Sequence, residues 1–364
     1  MGKKLIFYIK IIVLILISVF CLIETDIIKN SIYDALVRCT GIIIPSLYAM
    51  MVIAPLLIKS GIIDSLSRFT GKTGKILFGM ENVVFPVFVF SMIAGYPTGV
   101  KMLSSAYERG IIDKKRAEIF SGVCFGAGTA FVSGCVTSQL YGNRTAGNLI
   151  LISTIGANII FTFMMSFFMR KNCTLDNRKN SIEITSEMLT ECVANGGNSI
   201  INICFMVMIF AVVTAMADYT GIISQTGNII SKITGLSVGD SEQVIRAVTD
   251  VTAVTGFSHG NYELLPYLSA LISFGGICVM FQISAVSGKL SLRPLIIIRL
   301  IVSVISFVIC RILLPVMLSA ETVLTSAVNV RTHQARSPIP SVLLIIMTIF
   351  LLAEYENLRP VRKE

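Results

Sequence analysis

Several apolar runs along this chain each approach the ~20 residues that carry a helix across a bilayer. The clearest are Leu5–Ile23, Gly41–Ile58, Ala146–Met169, Ile201–Ala217, Leu264–Val286 and Leu295–Val316. A soluble domain has no use for so much uninterrupted apolar surface. The 54% hydrophobic share, against only 14% charged residues, and a mean hydropathy of +0.81 say the same. The fold class that follows is an all-α polytopic membrane protein of about eight spanning helices. Short loops leave no room for a large soluble domain.

Two segments do not fit a continuous span. Val83–Phe90 is apolar, but it runs into Gly95, Tyr96, Pro97, Thr98 and Gly99. In a helix interior Gly costs about 1 kcal/mol and Pro about 3 kcal/mol. The second such place is Val254-Thr255-Gly256-Phe257-Ser258. A break at membrane depth frees backbone groups that lipid cannot satisfy, so it must face protein or a water-filled cavity. Both are therefore expected to be broken or re-entrant. Gly126 and Gly128 in the span Ile119–Leu140 could be an unwound turn or close-packing positions, and Gly275 and Gly276 lie in the span Leu264–Val286. Asn158 and Gln282 lie within spans and must bond to protein or line a cavity. Arg299 and Arg311 are expected near span ends or paired, with Arg311 able to snorkel.

The formal charge of +9 raises the question of nucleic acid. Its Lys and Arg residues, however, sit in short loops beside apolar runs, with no basic and aromatic interleaving. Orientation by the positive-inside rule accounts for them, and no nucleic-acid partner is expected. Nine cysteines occur without a CxxC pair, and only His259 and His333 are present, so no metal and no cofactor is expected. His259 adjoins Ser258 and lies near Asp250, but adjacency is not a triad, and an enzyme is not expected.

Taken in order, residues 1–26 form an N-terminal anchor span with its start in the cytoplasm. Residues 27–169 form a first repeat, opening with an amphipathic helix over 27–40 and a span over 41–58. Residues 170–197 are a cytoplasmic linker and 198–317 a second repeat. Residues 318–364 hold a loop, a short span at 338–353 and a basic tail. The halves look alike: Ser60-Gly61-Ile62-Ile63 ends one span and Thr220-Gly221-Ile222-Ile223 ends another. Each is followed by a Gly/Ser loop, a broken segment, a glycine-rich span and a final span. With the two breaks entering from opposite sides, most Lys and Arg residues fall inside, and the halves become inverted-topology repeats. Breaks in corresponding positions point to a transporter site.

The stretch Ala94-Gly95-Tyr96-Pro97-Thr98-Gly99-Val100-Lys101, with Tyr107-Glu108-Arg109-Gly110 after it, resembles the YlbJ-like sporulation integral membrane proteins. Phe274-Gly275-Gly276-Ile277-Cys278-Val279 followed by Gln282 looks like a second segment of that family, and Val254-Thr255-Gly256 like a third. The resemblance covers roughly residues 30 to 320. One departure is Phe125-Gly126-Ala127-Gly128-Thr129, where the family has Asn-x-Ser-Gly-Pro. The resemblance implies the nucleoside-recognition or Gate domain group and a role in spore formation, through building the cortex. The location would be the cell membrane of an endospore-forming bacterium, on the forespore or mother-cell side.

Two functions compete. A permease would hold a small polar solute among Gly95, Tyr96, Pro97, Thr98, Gly99, Gly126, Gly128, Asn158, Thr255, Gly256, Ser258, Gly275, Gly276 and Gln282. A scaffold would need only the bilayer and its assembly partners. A homo-oligomer is compatible with either.

Overall fold

The computed structural model describes residues 2–169 and 182–325. Among these residues the chain is helical and contains no strand. Five helical stretches are long and apolar enough to cross a membrane: Thr25–Lys59, Arg144–Phe168, Ser186–Tyr219, Tyr262–Val286 and Arg293–Met317. Hydropathy alone suggested about eight spans, and the differences have local causes.

The helix α1 spans Gly2–Ile23. After it, α2 (Thr25–Arg38) passes through a π-helical turn, Cys39–Ile43, directly into α3 (Ile44–Lys59). The expected boundary between 27–40 and 41–58 is therefore absent, and one rod of 35 residues runs from Thr25 to Lys59. The π turn falls just before Pro45, whose missing N–H takes one bond from the α ladder.

Next come α4 (Ile62–Phe78), α5 (Val84–Ala94), α6 (Tyr96–Glu108) and α7 (Lys114–Ser121). Residues 122–128 are not helical. A short α8 (Thr129–Phe131) then continues into a π-helical stretch, Val132–Tyr141. The apolar run 119–140 thus does not form one crossing helix. It is divided at its glycines. The first half closes with α9 (Arg144–Met169).

The second half opens with α10 (Ser186–Tyr219), which starts well inside the stretch expected to be linker. Thr185 caps it by accepting from the Met188 amide at 3.2 Å. Its first turns are polar but packed: Lys59 pairs with Glu191 at 2.5 Å, and Gly196 lies against Val52. Packing on α3 supplies what residue polarity hides. Then follow α11 (Ile222–Thr234), α12 (Val238–Thr249), a 3-10 turn Val251–Gly256, α13 (Leu265–Phe274), α14 (Gly276–Val286) and α15 (Arg293–Thr325). Linker residues 170–181 and the terminal segment 326–364, with its short span at 338–353, lie outside the described residues.

Gly61 and Gly221 end α3 and α10 in the left-handed region, at φ 75 and 73. Only glycine enters that region without a Cβ penalty, so the two Gly-Ile-Ile motifs turn the chain the same way. The central core draws on both halves, with Tyr96, Phe125 and Phe131 packed among Val251, Leu268, Ile272 and Val279.

Candidate functional site

The first break is a crossing of backbones. Gly95 has φ 107 and ψ 168, a conformation closed to L side chains, and separates α5 from α6. Pro97 sits in the first turn of α6, where its missing N–H costs nothing. Gly128, at φ 73, approaches so closely that a Cβ there would lie 3.1 Å from the Gly95 Cα. A Cβ on Gly126 would lie 2.6 Å from the Ser91 carbonyl oxygen, and one on Gly99 would collide with the Cys124 carbonyl. The non-helical stretch 122–128 is buried throughout.

Breaking these helices frees carbonyls, and two of those beside the breaks accept from the other half of the chain. The Tyr96 hydroxyl donates to the Ile272 carbonyl at 2.6 Å, next to the break at Gly275. Arg299 Nη1 donates to the Phe125 carbonyl at 2.8 Å and to Asn158 Oδ1 at 3.1 Å. The Asn158 amide donates to the same Phe125 carbonyl at 3.4 Å. Phe125 also stands between the two capping side chains. Its ring centroid is 4.8 Å from the Tyr96 ring and 4.8 Å from the Arg299 guanidinium carbon. Gly275, at φ 89, leaves room for the Phe125 ring, since a Cβ there would lie 2.7 Å from Phe125 Cζ.

Arg299 is fully buried, and its Nε and Nη2 have no hydrogen-bond partner among the described residues. A charge deep in a span costs about 2.5–3.5 kcal/mol on insertion scales. The two bonds it donates and the ring face offset that cost.

The second break is polar. α12 ends at Thr249, and Asp250 caps the 3-10 turn. Its carboxylate accepts from the Thr252 amide at 3.0 Å and from the Thr252 hydroxyl at 2.7 Å. Asp250 is 6% exposed. On one side lies a cavity of about 290 Å³ that also meets Asp34, Arg38, Asp218, Gln243 and Arg246. On the other is an inner pocket of about 30 Å³ bordered by Ser46, Tyr96, Thr252 and Gln282. Asp250 stands in the wall of both. A water needs about 10–15 Å³ of such space, so the inner pocket suits water and nothing much larger. Gly276, at φ 79, packs the start of α14 against Val251, with a Cβ there only 2.9 Å from the Val251 amide nitrogen.

Gly95, Tyr96, Gly126, Gly128, Asn158, Gly275 and Gly276 therefore meet at or beside one junction, with Gln282 at the inner pocket. Thr98 does not join them. It is buried against α3 and donates to the Met51 sulfur at 3.8 Å. Pro97 and Gly99 serve turn geometry and packing. Thr255 and Gly256 line the larger cavity, whereas Ser258 is exposed and its amide donates to Asp240 at 3.1 Å. His259 is exposed as well. No group of three metal-ligating side chains occurs among the described residues.

Arg299, Phe125, Arg38 and Asp250 were missing from the sequence-based site. A usable signal existed for Arg299, a charge inside an apolar run. Comparison with known proteins finds no matching family model, no matching curated protein and no matching solved structure.

Proposed function

We propose that this chain is a permease for a small polar solute, acting in a membrane of an endospore-forming bacterium during spore formation and cortex assembly. The observation that carries the reading is Asp250, a buried carboxylate shared by the 290 Å³ cavity and the inner pocket beside Tyr96 and Gln282. A polar cavity that ends on broken helices at a buried carboxylate is an arrangement suited to a solute pathway.

The halves act as inverted copies in this reading. Its supports are the matched turns at Gly61 and Gly221 and the exchanged caps, Tyr96 onto Ile272 and Arg299 onto Phe125. In this reading the N-terminus lies in the cytoplasm, which the distribution of basic loops supports. The sporulation role rests on the resemblance around Gly95–Lys101.

The test is flux of a panel of labelled small polar solutes into liposomes carrying the full chain, beside Gln282→Trp, which fills the inner pocket. Entry through the wild type, lost in the folded variant, is the expected result. No entry above empty liposomes for any solute overturns it.

One observation favours a scaffold instead: the inner pocket is small enough to be a packing gap. A Gln282→Trp strain that still builds normal cortex would support that second reading.

A further inference from the structure

The larger cavity carries an unusual division of charge. Its wall holds Asp34, Asp218 and Asp250 against Arg38 and Arg246. Arg246 is spoken for: its Nη2 and Nε reach the Asp218 carboxylate at 2.6 and 3.2 Å, and Nη2 also meets Glu242 at 3.3 Å. That leaves Arg38, Asp34 and Asp250. Among the described residues Arg38 forms no ion pair, and its Nε is buried without a hydrogen-bond partner. Asp250 has no cationic partner within ion-pair distance either, and its two bonds both come from Thr252.

An ionised carboxylate offers about four acceptor sites and a guanidinium five donors. Two acceptor sites of Asp250 are used, and no donor of Arg38 is taken by a described residue. Arg38 and Asp250 nonetheless line the same cavity. The two opposite charges therefore share one cavity without closing on each other. A lone anion would face two carboxylates for one free guanidinium, and a lone cation would leave Arg38 unanswered. A molecule carrying both charges answers both.

We propose that this cavity binds a small zwitterion, its ammonium group on Asp250 and its carboxylate on Arg38. The permease reading is needed only to call that zwitterion the transported solute. The volume of about 290 Å³ has room for a molecule of amino-acid size. Gln243, Ser31 and Thr214 in the same wall supply neutral polar groups for the rest of it.

The test is calorimetric titration of the full chain in detergent with three probes of similar size: L-serine, lactate and ethanolamine. Serine should bind about tenfold tighter than either half-charged probe. In Asp250→Asn, serine should fall to the lactate level; in Arg38→Gln, it should fall to the ethanolamine level. Ser258→Ala, outside the cavity, should leave all three unchanged. The wild-type ranking needs no variant, so a misfolded variant does not rescue the idea. Lactate or ethanolamine binding as tightly as serine overturns it. So does the absence of serine binding up to about 10 mM, or variants that weaken all three probes equally. Serine binding without flux in liposomes would leave the site standing and remove transport. Flux of another solute without serine binding would do the reverse.

Discussion

The break at Gly95 and the break after Thr249 interrupt a helix in the same way and end in opposite surroundings. At Gly95 the freed backbone is pressed against other backbone: Gly128, Gly126 and Gly99 admit no side chain, and the capping groups arrive from α15 and α9. After Thr249 the backbone is held by a local cap, Asp250 on Thr252, and its far side opens on a polar cavity. Glycine permits the first because it removes bulk. A carboxylate permits the second because it brings its own acceptors. A buried junction tolerates no added atom, whereas a cavity wall can yield.

The comparison can be broken most sharply at Gly126. Gly126→Leu drives a side chain into the Ser91 and Met92 backbone. Overpacking of this kind costs about 3 kcal/mol or more. The variant should give little monodisperse protein on size exclusion and, where recovered, a strongly lowered melting temperature.

Next in size is Arg299→Met, which strips the donor from the Phe125 carbonyl and from Asn158 Oδ1. The Phe125 carbonyl keeps the Asn158 amide at 3.4 Å, so one buried acceptor, Asn158 Oδ1, is left bare, at a cost of about 1–3 kcal/mol. Adding Asn158→Leu to it should return none of the loss, because it removes the bare Oδ1 together with the last donor to the Phe125 carbonyl. Thermal unfolding in detergent reads both, and a double variant clearly more stable than the single would break the capping account.

Tyr96→Phe removes one hydrogen bond to Ile272 and keeps the ring on Phe125. It should cost about 0.5–1.5 kcal/mol in the same assay. Asp250→Ala uncaps Thr252 and should cost about 1 kcal/mol, with hydrogen exchange rising at 251–256 and not at 122–128. The smallest effect belongs to Gly256→Ala. The atoms nearest a Cβ there belong to the end of the flexible Gln243 side chain, so the change should stay within about 0.5 kcal/mol. A Gly256→Ala as damaging as Gly126→Leu would erase the distinction between the two breaks.

Much of this was legible in residue types. Gly95, Pro97, Gly126, Gly128, Gly275 and Gly276 announce interruptions because helix propensity is a property of the residue itself. The Gly-Ile-Ile turns at Gly61 and Gly221 were legible for the same reason. Ser258 and Gly256 show the limit: the run Thr255–Ser258 signals a break but not which end faces inward. The structure turns Asp250 and Thr252 toward the core and leaves Ser258 exposed on Asp240. The rod Thr25–Lys59 is a second limit, since a π turn hides the boundary that hydropathy implies.

The apolar runs, their interruptions and hence a helical membrane protein follow from the chain alone, because desolvation and backbone preference act on each segment where it stands. Which carbonyl each polar side chain would cap was settled only in three dimensions. Arg299 and Phe125 are 174 residues apart in sequence, and Tyr96 and Ile272 are 176 apart. Hydrogen bonds act over a few ångströms, so such partners are chosen by how the helices pack and not by anything local to either residue.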